Sequence, residues 1–197
     1  MAEIVLLHSV LGITPGVTSA AERLRVAGHI VHTPDLFEGA GPLDSYPLAM
    51  ARMQQVGVPA LVGRARAAVA PFGPNLVYAG FSVGAALSAG LAARLPGARG
   101  ALLLHGAPNA ASIGATSWPV GVPVQIHFAL GDPGRNQEWI DDLGSLIRSS
   151  GSTCDVFDYP GSGHLFTDES RPDEYDAQSA ELLWTRVLEF LRRVDAV

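Results

Sequence analysis

A chain of 197 residues, 48% hydrophobic and only 16% charged, has the length of one domain and enough apolar surface for a core, which excludes a multidomain machine and a disordered tail. Its 13 Lys and Arg against 19 Asp and Glu leave a net charge of -6, which opposes binding to nucleic-acid phosphates or anionic lipid surfaces. The single cysteine, Cys154, excludes an intrachain disulfide and a multi-thiolate metal site, and fits a reducing cytoplasm.

The opening run EIVLL predicts a strand at 3–7; it has no basic flank and is too short for a signal segment or a membrane span. The expectation is a cytoplasmic protein without a membrane partner. Thr14 followed by Pro15 reads as an N-cap and first helical position, and Ala20, Ala21, Leu24 and Ala27 give an inward face before Gly28 stops the helix. A strand at 29–33 follows. Residues 38–59, with Gly39, Gly41, Pro42, Pro47, Gly57 and Pro59 around Leu48, Met50 and Met53, show no single clean period and form a candidate lid. Helices at about 58–70, 83–95, 136–149 and 176–193 then alternate with strands at 75–79, 100–105, 122–130 and 153–159. Arg192 and Arg193 fall where they complement the last helix's C-terminal dipole. This alternation predicts an α/β fold in a single domain over 1–197, a mostly parallel sheet of about six strands with helices on both faces. Ligands bind beyond the carboxyl ends of such strands, so the irregular segments 38–59 and 107–123, the latter with Trp118, are where a pocket is expected.

Gly80-Phe81-Ser82-Val83-Gly84 is G-x-S-x-G between a predicted strand and a predicted helix, the context of a nucleophile elbow. The turn strains the serine and leaves no room for side chains two positions to either side. A serine is a poor nucleophile at neutral pH, so it needs a base, and the base needs a carboxylate to hold its tautomer. On such an elbow the acid follows the serine and the histidine follows the acid. Asp132 stands directly after the strand VPVQIHFAL, and His164 stands after the next strand, in YPGSGHLF; both reach the sheet edge of Ser82. The oxyanion is assigned to the backbone N–H groups of Val83, after the nucleophile, and of Val10, in the loop after the first strand. His8, Ser9, Phe81 and Trp118 are candidate pocket residues. Among rivals, His29, His32, His105 and His127 lie in or at strands, as packing groups do. Asp155 and Asp158 fall inside a strand, Asp168 breaks the chain order, and Cys154 reads as a buried strand residue without an elbow.

Taken together, IVLLHSVLG, HTPDLFEG, GFSVG, HFALGD, YPGSGHLF and the final YDAQSAELLWTRVLEFL span nearly the whole chain and resemble the dienelactone hydrolase family of α/β-hydrolases, especially its short bacterial members. The resemblance implies acyl transfer, with the acid and base after strands as Asp132 and His164 are. Two positions depart from the family: Ser82 stands where the namesake activity uses cysteine, and Ser9 where a glutamate partners that cysteine. The expectation is therefore hydrolysis of a small carboxylic ester or lactone through a serine acyl-enzyme, needing no metal or organic cofactor and no nucleic acid. The alternative is a non-catalytic protein of the same fold that binds a small ligand. A phosphate-loop reading of residues 80–90 lacks the terminal Lys-Ser/Thr and the G-x-G-x-x-G spacing.

Overall fold

Strands whose residues are apolar on both faces must be covered on both faces, and β3 (Leu76–Phe81), β4 (Gly100–Leu104) and β5 (Val124–Ala129) are buried at every position. The computed structural model describes residues 1–195. It places these strands with β1 (Glu3–Leu7), β2 (Ile30–His32) and β6 (Cys154–Tyr159) in one six-stranded, all-parallel sheet of order β2-β1-β3-β4-β5-β6. Side chains alternate across it: Ile4, Leu6, Val77 and Ala79 enter one cluster with α1 (Pro15–Val26) and α6 (Ala177–Asp195). Val5, Leu7, Leu76 and Tyr78 enter the other, with α3 (Val58–Val69), α4 (Val83–Arg94) and α5 (Gln137–Ser149). Thr14 caps α1 by accepting the Val17 N–H, and Asn136 caps α5 by accepting that of Trp139. No helix among the described residues is long and apolar enough to cross a membrane.

The structure differs from the sequence reading in two segments that bear on the site. Strand β3 runs to Phe81, two residues past its predicted end, because Gly80 pairs with Leu7 and Leu103 and Phe81 with Leu104. The candidate lid contains a helix, α2 (Tyr46–Val56), joined to α3 through Gly57 at φ 79°. Only Ala49 of α2 is buried, with Tyr46 and Met53 half-buried against the core, so its apolar face is too narrow to register as a period. The segment is pinned to the β1 loop: the Leu43 N–H donates to the Leu11 carbonyl, and a Cβ at Gly12 would stand 3.3 Å from the Gly41 oxygen.

Two core histidines set an acid limit on stability. His127 is fully buried between Tyr159 Oη and Gln125 Oε1, and burial pushes its pKa down from 6.5 to about 3; burial also pushes His105 well below 6.5. Below 6.5 the unfolded chain takes up protons that the folded chain refuses. Stability is therefore complete above pH 6.5 and declines toward pH 3, by about 1.4 kcal/mol per pH unit for His127, with His105 acting in the same direction. Urea unfolding at pH 7.5 and pH 5 is expected to show a loss of about 2 kcal/mol from His127 alone, and His127→Gln to flatten that slope. A pH-independent midpoint over this range would contradict the burial of both rings.

Candidate active site

The turn after β3 is made by close backbone approach. Ser82 has φ 55° and ψ -112°, a conformation few non-glycine residues adopt, and its N–H is held by the Leu104 carbonyl at 2.8 Å. A Cβ at Gly80 would meet the Gly84 carbonyl, and one at Gly84 would stand 2.5 Å from Leu7 O and 2.6 Å from His8 O. The first turn of α4 is thereby seated directly on the end of β1. Gly106, which the sequence reading did not single out, is needed for the same reason, since its Cβ would stand 2.6 Å from the Ser82 oxygen. It follows His105, itself at φ 58°, and a glycine just past a strand at the site's edge is the signal that marks it.

Asp132 lies in a turn closed by its own N–H to Ala129 O, and Oδ1 accepts the Gly134 N–H at 2.7 Å, so the carboxylate is oriented before any partner arrives. The neighbouring loop is tied to it by the Gly131 N–H on Gly161 O at 2.9 Å. His164 Nδ1 stands 2.9 Å from both oxygens of Asp132, and His164 Nε2 stands 2.8 Å from Ser82 Oγ. The Asp132 side chain has no exposure and that of His164 has 19%. With a carboxylate able only to accept, Nδ1 carries the proton and Nε2 is left to accept from the serine hydroxyl.

Two backbone N–H groups, one at the start of α4 and one in the β1 loop, are without acceptors among the described residues. The Val83 N–H, in the first turn of α4, has no intrahelical acceptor. In the β1 loop the Leu11 N–H goes to Ser9 Oγ and the Gly12 N–H to Ser9 O, which leaves the Val10 N–H without a partner among the described residues.

The candidate pocket residues are placed differently from expectation. His8 is 1% exposed, its Nδ1–H donating to Ser9 O and its Nε2 accepting the Leu36 N–H at 2.9 Å. Burial lowers its pKa, so it is a neutral clamp between two loops and not a pocket wall. Trp118 is a correction of the same kind: it is 3% exposed in the α3/α4/α5 core, with its indole N–H spent on Val122 O. Ser9 and Phe81 face a cavity of about 10 Å³ with Thr14, Thr167 and Asp168, room for one water and not for a substrate.

The rival groups have structural partners. Asp158 pairs with Arg135, Asp155 with Arg193, and His32 with Glu3. The buried Asp168 accepts the Thr14 hydroxyl at 2.8 Å over the start of α1, where Gly16 leaves it room. His105 Nε2 meets Thr167 Oγ1, and burial raises the Cys154 thiol to about 11, which keeps it protonated and inert. Sequence reasoning also passed over Tyr46, Arg171 and Glu174, which sit against the His164 loop; the Tyr46 ring is edge-on to the imidazole at 6.0 Å.

The sequence model of the dienelactone hydrolase family matches residues 1–195. No curated protein sequence matches the chain. Among solved structures, a dienelactone hydrolase-like promiscuous phosphotriesterase from metagenomic libraries is similar with TM-score 0.80 and 19% identity, over 98% of this chain and 87% of that one. A dienelactone hydrolase from Klebsiella pneumoniae, so assigned provisionally, has TM-score 0.73 and 20% identity, over 96% and 85%. A thermophilic esterase from Thermogutta terrifontis, solved with propionate bound, has TM-score 0.67 and 16% identity, over 96% and 83%. At these identities the likeness is one of α/β-hydrolase fold.

Proposed function

Since the chain belongs to the dienelactone hydrolase family and is a hydrolase of α/β fold, we propose that it cleaves a small carboxylic ester or lactone through an acyl-enzyme on Ser82. The observation that carries this reading is the unbroken chain of contacts from Ser82 Oγ through His164 to Asp132, at 2.8 and 2.9 Å. Ser82 Oγ attacks the carbonyl carbon and its proton passes to His164 Nε2, while the carbonyl oxygen becomes an alkoxide held by the Val83 and Val10 N–H groups. Collapse breaks the bond to the leaving oxygen, which takes the proton from His164, and the acyl group stays on Ser82. Water then repeats the sequence, with His164 removing its proton and returning it to Ser82. Asp132 stabilises the imidazolium in both halves. Every step uses only side chains and backbone donors of this chain, so the reading calls for no metal or organic cofactor. The esterase among the structural neighbours favours ester cleavage by analogy of fold.

A fluorophosphonate probe is expected to label the folded protein once, on Ser82, and a panel of p-nitrophenyl esters and small lactones to reveal turnover. Cys154→Ser is expected to leave that turnover unchanged, because a protonated, half-buried strand thiol has no part in it. A folded protein that neither takes the probe nor turns over any member of the panel would favour the alternative, a non-catalytic small-ligand binding protein.

A further inference from the structure

The residues on both sides of His164 are held by one residue, Glu174, through its side chain and its backbone. The Leu165 N–H donates to Glu174 Oε2 at 2.7 Å, and Gly163 has no room for a Cβ because the Glu174 backbone carbonyl lies against it. The same carboxylate reaches the candidate lid: the Tyr46 hydroxyl, on the first residue of α2, donates to it at 2.9 Å. Arg171 completes the cluster, with Nε 2.6 Å from Glu174 Oε1, its guanidinium 4.7 Å over the Tyr46 ring and Nη1 on the Asp44 carbonyl. Both ionic side chains are under 20% exposed, so their charges are only weakly screened. Burial alone would raise the Glu174 pKa, yet the Leu165 N–H, Arg171 and Tyr46 together hold it below the usual carboxylate range.

We propose that Glu174 is a positioning residue that sets the His164 imidazole and, through Tyr46, couples it to the seating of α2. The inference rests on the acyl-enzyme reading for its kinetic consequence but not for its geometry. A carboxylate bonded to the residue after the base fixes the loop on which that base stands, and the edge of Tyr46 limits where the ring can go. Losing this grip displaces Nε2 relative to Ser82 Oγ, and the proton transfer depends on that separation. A side chain that merely supported the fold would alter stability and leave kcat intact.

The test compares Glu174→Ala, Glu174→Gln and Tyr46→Phe with the unaltered protein, using p-nitrophenyl acetate kinetics and the downfield NMR resonance of the His164 Nδ1 proton. Glu174→Ala is expected to lower kcat about 100-fold, the scale of a one-ångström misplacement, with KM changed only a few-fold and the resonance broadened. Glu174→Gln is expected to recover most of that loss, because its amide oxygen still accepts the Leu165 N–H. Tyr46→Phe keeps the ring and removes one hydroxyl, and is expected to cost about tenfold in kcat. If Glu174→Ala does not fold, the Tyr46→Phe pair of readouts decides. A folded Glu174→Ala with unaltered kcat and resonance, or a Tyr46→Phe with both unaltered, overturns the proposal. Failure of the unaltered protein to take a fluorophosphonate at Ser82 would instead sink the acyl-enzyme reading, while the resonance would still report whether Glu174 positions the imidazole.

Discussion

Ser82→Ala is expected to lower kcat for p-nitrophenyl acetate by about 10⁶-fold and to abolish fluorophosphonate labelling, with the folded structure intact. The substitution deletes one oxygen and its contact with His164 Nε2, and the Cβ of alanine occupies the same place at the same φ of 55°. Stability is therefore expected to hold, because the backbone and its strain are unchanged. His164→Ala is expected to fall by a similar factor, and the double variant to be no worse than either, because nucleophile and base act as one unit. Single-turnover kinetics with mass spectrometry of the intact protein give the measurement: an acyl adduct on the unaltered protein and none on Ser82→Ala. An alanine variant within tenfold of full activity, or an adduct that moves to Cys154, would remove Ser82 from the centre of the mechanism.

The parts of this molecule that could be read in the sequence are those whose cause is local. The elbow is legible because Gly80 and Gly84 are forced by backbone contacts within a few residues and across one strand pair. The sheet is legible because parallel strands covered on both faces must be apolar along their buried length, as IVLL of β1 and ALLL of β4 are. Asp132 and His164 were singled out by the loops they occupy, and loop positions follow from strand ends. What was misread depends on partners distant in the chain. His8 looks like a site residue at the end of β1 until Leu36 is seen to donate to it, and Trp118 looks like a loop aromatic until its indole is seen to close on Val122 within the core. Glu174 is an ordinary surface residue in sequence; its role emerges only when Tyr46, 128 positions earlier, is brought against it.

The same distinction orders the site's energetics. Ser82 is held by its own strand and helix, so its geometry is stored in the core. The His164 loop lies outside the strands, and the residues up to the imidazole are fixed by hydrogen bonds to Asp132, Glu174 and the Gly161–Gly131 contact, with Leu165 and Phe166 anchored in the core behind it. Hydrogen-bond removal is therefore expected to weaken the base before it weakens the nucleophile.

Asp132→Asn tests that dependence at its strongest point, with an expected loss in kcat of about 10⁴-fold and little change in folding. The reason lies in the turn that carries it. Gly134 donates to Oδ1 at 2.7 Å, so an asparagine keeps its carbonyl oxygen there and places its amide nitrogen where Oδ2 stood, 2.9 Å from His164 Nδ1. That nitrogen can only donate, which favours the tautomer in which Nδ1 accepts and the ring proton sits on Nε2, the atom that must take the proton of Ser82. The ring then faces the serine as a donor, and the imidazolium formed on attack has no anion beside it. Because the replacement is isosteric and its side chain has no exposure, the fold is expected to persist, and KM to move far less than kcat. Asp158→Asn, which breaks only a surface pair with Arg135, is expected to stay nearly fully active, and Asp168→Asn to lose stability through Thr14 without a comparable loss of kcat. If instead Asp132→Asn turned over substrate at nearly the full rate while either of the other two was inactive, the carboxylate that orients His164 would have to be sought at that other position.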